Sequence, residues 1–282
     1  MSNPVMDRNP YFKQSAQRPN QFPNQYPQAT QYAEDYSQQY SPQGYVDAQA
    51  QSYSPYADAD RMTYADAMNK TALLLGTTIF AGVLAILFFP ITAMPMLAIG
   101  GSLVAFGIGM FIAFQPMVKP GMAIAYAAIE GIALGSLTRY LDYFLPGVAL
   151  QAILATAVIV AVTLGLHYSG AIRTTPRGRK IVLIVALGGI LFGFINMGLM
   201  LFTRTNLRTD GAFGGMPLGV IIGVVMLFVA AYFLIADFEA VQDAINNGAP
   251  AQFAWTCAIG IVMTILWIYV EVLRIVAILA DR

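Results

Sequence analysis

The sequence predicts an all-α polytopic membrane protein, a seven-transmembrane-helix bundle with a disordered N-terminal tail. Three observations carry that prediction. Hydrophobic residues make up 57% of the 282-residue chain, charged residues only 11%, and the mean hydropathy is +0.62; a soluble domain carries about 25% charged residues to cover its surface. From Thr71 onward, apolar runs recur at the ~20-residue length that crosses a bilayer. Before them the chain has almost no Leu or Ile with which to build a core. The single cysteine, Cys257, excludes an internal disulfide framework, and the single histidine, His167, leaves no multi-histidine zinc site.

Residues 1–65 read as a cytoplasmic Gln/Tyr/Pro-rich tail, and residues 66–282 as the membrane domain. Nine of the fifteen tyrosines lie within the first 64 residues, set among Gln, Pro, Ser and Asn as in Gln21-Phe22-Pro23-Asn24-Gln25-Tyr26-Pro27. Such a composition buries too little apolar surface to offset the entropy of ordering it. It fits either a docking tail or a solvated extension. No apolar stretch follows within the first 30 residues, so the tail does not read as a signal peptide. Residues 1–69 carry four basic and seven acidic side chains and residues 70–282 carry eleven and eight, a split of −3 and +3 that shows no nucleic-acid-binding patch.

Seven spans follow, over about 71–92, 95–115, 120–141, 147–168, 181–203, 215–237 and 253–279. Pro90 and Pro95 bracket the first connection, Pro116 and Pro120 the second. Pro146 opens the fourth span, Pro176 lies in the fourth connection, and Gly248-Ala249-Pro250 stops the chain before the seventh. In lipid only helices or closed barrels satisfy their own backbone, and these runs lack the alternation of barrel strands. Six helices plus a re-entrant segment is the competing arrangement. Lys and Arg in the short loops set the orientation. Arg61, Lys70, Lys119, Arg173, Arg177, Arg179 and Lys180 fall on the side of the N-terminus, against Arg139, Arg204, Arg208 and Arg282 on the other. That count places the N-terminus in the cytoplasm.

Ionisable groups inside the spans are few, and such groups are costly in hydrocarbon unless they face the bundle interior. Glu130 lies mid-way along the third span among Ala127, Gly131, Ala133 and Gly135, small residues that admit a close helix neighbour. It reads equally as a protonatable cation ligand or as a structural carboxyl. Asp237 ends the sixth span, and with Glu239 and Asp243, which have no Lys or Arg near them in sequence, it predicts an acidic mouth that gathers cations. The alternative is an ordinary polar helix terminus. Glu271 and Arg274 are three apart in the seventh span and can pair with each other. Asn196 adds a polar amide to the fifth span. No phosphate loop, zinc-binding His-Glu-x-x-His or nucleophile elbow occurs, so the chain does not read as an enzyme and implies no cofactor.

Several motifs resemble the Bax inhibitor-1/YccA family of transmembrane Bax inhibitor motif proteins, and are most similar to its bacterial YccA-like branch. They are Asp237-Phe238-Glu239, Asn247-Gly248-Ala249-Pro250, Trp267-Ile268-Tyr269-Val270-Glu271-Val272-Leu273-Arg274, Ala125-Tyr126-Ala127-Ala128-Ile129-Glu130-Gly131, and Tyr168-Ser169-Gly170-Ala171-Ile172-Arg173 with Thr175-Pro176. The resemblance covers residues 65–282. It implies helix seven near the centre of the bundle, a bacterial inner-membrane location, and in some members a pH-sensitive calcium leak closed by two aspartates on helices six and seven. Asp237 matches the first aspartate. The position of the second falls near Thr264, not on a carboxylate, and Glu271 lies about 10 Å further along the helix. The aspartate pair is therefore either missing or rebuilt with Glu271.

Two functions follow as expectations. One is a calcium leak, with Ca2+ as permeant ion and Asp237, Glu271 and Glu130 along the route. Arg274, Thr264 and Asn196 would support it. The other is a non-conducting regulator that binds a membrane-bound AAA protease or another membrane partner.

Overall fold

A computed structural model describes residues 61–170, 172–213 and 215–281. Seven helices are long and apolar enough to cross a membrane: α1 (Tyr64–Phe88), α2 (Met94–Ala113), α3 (Pro120–Phe144), α4 (Val148–Tyr168), α5 (Pro176–Thr203), α6 (Leu218–Asn246) and α7 (Ala254–Ala280). Single 3-10 turns, Ile91–Ala93 and Ala251–Phe253, lead into α2 and α7. A two-residue antiparallel ribbon, β1 (Ala212–Phe213) on β2 (Met216–Pro217), folds the chain back before α6.

The helix starts follow their sequence signals. Thr63 and Asp66 form a capping box at α1, each side chain accepting from the other residue's backbone N–H at 3.1 Å. Proline stands in the first turn of α2, α3 and α5, where its missing N–H costs nothing. Residues 61–65, read from sequence as tail, are docked on the bundle instead. Met62 is buried and its N–H donates to Ala249 O at 2.8 Å, while Arg61 bridges Pro250. One apolar side chain just ahead of a helix cap was enough to bring them in. The disorder expected of residues 1–60 concerns a segment outside the described residues.

Helices α1 and α3 cross with almost no side chain between them. A methyl built on Gly131 would stand 2.2 Å from Thr78 O, and one on Gly135 would stand 2.6 Å from Gly82 Cα. The small residues around Glu130 thus admit α1, which packs by backbone proximity as membrane helices do. On its other side α3 meets α2, where Ala133 lies against Gly101. The run Thr256–Val262 of α7 is buried at every position, because α6, α4, α1 and α3 all pack on this helix. By contrast α5 buries only Ala186 and Asn196, and its main neighbour is α6.

The sixth helix corrects the sequence boundary. It continues nine residues past Asp237, about 13 Å at helical rise. Phe238, Val241 and Ala244 keep a buried stripe while the polar residues between them turn outward. Counting apolar residues ends a span at its first carboxylate; helical periodicity carries this one on.

The seven helices alternate in direction, so the α2–α3, α4–α5 and α6–α7 loops share the face from which α1 starts. Contacts tie that face together: Tyr64 Oη with Tyr168 Oη at 2.6 Å, Lys70 Nζ donating to Ala251 O at 2.9 Å, and Val118 N donating to Thr256 Oγ1 at 3.0 Å.

Candidate functional site: a carboxylate between helices six and seven

Asp237 points from α6 toward α7, and Thr264 Oγ1 donates to its Oδ2 at 2.6 Å. The same hydroxyl also contacts Gly260 O, one turn back on its own helix. Asp237 is half-buried. It stands beside a wall of fully buried side chains that includes Leu234, Val241, Cys257 and Ile261. Among the described residues its carboxylate has a neutral hydroxyl as hydrogen-bond partner and no Lys or Arg in a salt bridge. The sequence resemblance put the helix-seven counterpart of this aspartate near Thr264, and Thr264 is the residue that touches it.

Glu271 lies elsewhere. Arg274 Nη1 donates to both of its oxygens at 2.8 Å, within one turn of α7. Glu271 is 5% exposed and faces α6 at Gly223, where an added methyl would stand 3.9 Å from its Oε2. Seven residues separate Thr264 from Glu271, about two helical turns. The structure thus brings Asp237 to Thr264 and Glu271 to Arg274. Glu130, half-buried on α3, shares a face with Tyr126 and Ala133, which pack on α2 at Gly109 and Gly101. No three His, Cys, Asp or Glu side chains converge among the described residues, so the three carboxylates stand as separate points on three helices.

The acidic mouth expected at the end of the sixth span is not formed. Glu239 is held by the α4–α5 loop: Thr174 N donates to its Oε1 at 2.7 Å, the Thr174 hydroxyl bonds its Oε2, and Arg179 Nη2 reaches Oε2 at 3.1 Å. Arg179 Nε also donates to Thr174 Oγ1 at 2.9 Å, and Thr175 N donates to Tyr232 Oη at 3.0 Å. Arg179, from the basic cluster after α4, folds back onto α6 and pairs with the carboxylate the sequence left without a cation. Sixty residues separate Arg179 from Glu239, so sequence spacing could not pair them. Asp237 faces the opposite way, into the bundle, and takes no part in this contact.

Asn196 serves the far end of the bundle. Its Nδ2 donates to Asn206 Oδ1 at 3.1 Å and its Oδ1 accepts from Leu207 N at 2.8 Å, fixing the loop between α5 and β1. A buried amide in a span is satisfied here by one loop side chain and one loop backbone N–H.

Fold and site together define a multi-pass helical membrane protein with an interior carboxylate shared between α6 and α7. The chain belongs to the family described as Bax inhibitor 1 like, whose model matches residues 3–281. That match runs through the tail, beyond the residue-65 limit of the motifs quoted from the sequence. No curated protein and no solved structure matches the chain.

Proposed function

We propose that the protein is a pH-sensitive calcium leak of the YccA type in a bacterial inner membrane, with its N-terminus in the cytoplasm. Asp237 is the group that exchanges a proton. The observation that carries the reading is the Asp237–Thr264 contact: a carboxylate inside the bundle with no Lys or Arg in a salt bridge among the described residues, held across α6 and α7 by a hydroxyl that can accept as well as donate. Its charge can be cancelled by a proton or by a passing cation, and either event changes what binds α6 to α7. With Thr264 in place of a second carboxylate, one proton rather than a shared one controls the contact. Calcium takes oxygen ligands, and Glu130 is the second unpaired carboxylate on the proposed route. Glu271, bound by Arg274, is a structural anchor in this reading.

The test is calcium flux into proteoliposomes between pH 6 and 8, for the wild type beside Asp237→Asn. A pH-dependent flux that becomes pH-independent in Asp237→Asn is expected. Equal pH dependence in both proteins would remove Asp237 from the mechanism. Absence of flux at every pH, in folded protein, would favour the second reading, a non-conducting regulator of a membrane-bound AAA protease or another membrane protein. That reading draws on α5, whose apolar face, including Ile184, Leu191 and Phe194, is left uncovered by the rest of the bundle.

A further inference from the structure

A cleft of about 250 Å³ separates α5 from α6, lined by Val185, Gly188, Gly189 and Phe192 on one side and by Ile221, Ile222, Val225 and Met226 on the other. Its walls are wholly apolar. Gly188 leaves space in it: a methyl built there would meet no atom within 4 Å. At one end the Phe192 ring carries the guanidinium of Arg208, 5.5 Å from ring centroid to Cζ. Arg208 comes from the loop before β1 and is wedged against α5 and α6. A methyl on Gly193 would lie 3.9 Å from its Nη2, and one on Gly219 would lie 3.0 Å from its Cβ.

The charge at this end does not balance locally. Arg208 and Arg274 both stand close enough to Glu271 to feel its charge, and each other's. Both Glu271 oxygens are taken by Arg274 Nη1. The carboxylate of Asp210, on the same loop, accepts from Asn206 N and Thr209 Oγ1. Among the described residues Arg208 Nη1 is left buried with no hydrogen-bond partner, although the residue as a whole keeps part of its surface open. An unsatisfied guanidinium nitrogen in apolar surroundings is costly, and two arginines to one carboxylate call for an anion. The Arg208 backbone and Cβ sit beside the first turn of α6, at a helix end, and its guanidinium reaches inward along α5 to Phe192 and Gly193.

We propose that this cleft binds one anionic phospholipid, with an acyl chain between α5 and α6 and its phosphate on Arg208. The two parts of the site match the two parts of that molecule. An apolar slot opens to the bilayer at the helix pair with the least packing, and a planar cation suited to paired contacts with phosphate oxygens caps it. The bound lipid would supply the packing that α5 lacks.

The test is native mass spectrometry of the full-length protein in detergent, titrated with phosphatidylglycerol, phosphatidylcholine or inorganic phosphate. The expected result is one tightly held phosphatidylglycerol, at least tenfold preferred over phosphatidylcholine. The preference disappears in Arg208→Gln, while Gly188→Leu, whose Cβ meets no atom within 4 Å, weakens binding of the intact lipid. Equal binding of the two lipids by the wild type, or full retention of the preference in Arg208→Gln, would overturn the proposal. Should Arg208→Gln not fold, undiminished binding in Gly188→Leu overturns it alone. Displacement of the lipid by inorganic phosphate would assign the site to a free anion, and a lipid-free dimer would assign the cleft to a second copy of the chain.

Discussion

The α1–α3 crossing predicts that Gly131→Ala is destabilising although helix propensity says the reverse. In a helix interior Ala is favoured over Gly by about 1 kcal/mol. At Gly131 that gain is opposed by geometry. The new methyl would stand 2.2 Å from Thr78 O and 2.9 Å from Thr78 Cα, atoms of backbone that no side-chain rotation can move. To reach ordinary contact the helices must part by roughly 1 Å, and the partner glycines Gly82 and Gly135 lose their contact as well. Overpacking of this kind costs ~1–3 kcal/mol, and a clash with backbone belongs at the upper end. The net expectation is a loss of about 2 kcal/mol, a factor of about 30 in the ratio of folded to unfolded protein. Gly76, on α1 itself, is the control: a methyl there meets nothing within 4 Å, so Gly76→Ala should be neutral or stabilising. Unfolding of both variants by SDS titration in mixed micelles, followed by circular dichroism, compares them directly. If Gly131→Ala were as stable as Gly76→Ala, the close approach of α1 to α3 would be wrong.

Three further expectations follow from individual contacts. Thr264→Val keeps the shape of the side chain and removes the 2.6 Å hydrogen bond to Asp237. It should cost ~1–3 kcal/mol in the same unfolding assay and move the pH midpoint of any flux, so an unchanged stability and midpoint would deny the contact any role. Arg179→Ala removes an ion pair whose arginine is 35% exposed; below ~1 kcal/mol of stability should be lost. Amide exchange across residues 172–180 should nevertheless quicken, and protection equal to the wild type would show that Glu239 does not hold the loop. Cys257 is fully buried among core side chains; maleimide should label it in SDS and not in the folded protein, and rapid labelling of folded protein would place α7 at a solvent-lined surface.

The helices were legible because their signals are local. Hydropathy located the seven spans, proline marked the starts of α2 and α3 while Pro176, read as part of a connection, opens α5, and the glycines around Glu130 announced a close neighbour without naming it as α1. The boundaries that failed did so where a local count met a longer-range effect. Asp237 interrupts the apolar count, yet Phe238, Val241 and Ala244 continue to pack on the core. Residues 61–65 look polar and tail-like until Met62 meets the loop after α6. Neither the pairing of Glu239 with Arg179 nor the nearness of Arg208 to Glu271 could be read from spacing, because each joins segments about sixty residues apart through a fold-back of the chain.

The separation of Asp237 from Glu271 follows from α-helix geometry. Both residues must face inward, and α7 offers its inward face to α6 along much of its length, so a carboxylate anywhere on that face would escape lipid. Only one level of α7, however, is opposite Asp237, and Thr264 occupies it. Glu271, two turns further on, meets α6 at Gly223, fourteen residues before Asp237 along the antiparallel partner. It could not reach Asp237 without sliding one helix past the other. Its burial is instead offset within its own turn by Arg274, and Arg208 makes no salt bridge with a carboxylate among the described residues. A threonine at 264 and a carboxylate at 271 therefore have separate consequences. The first leaves Asp237 held by a hydroxyl between α6 and α7, and the second ties Arg274 to Glu271, so that both Glu271 oxygens are taken at the level where Arg208 reaches the α5–α6 cleft.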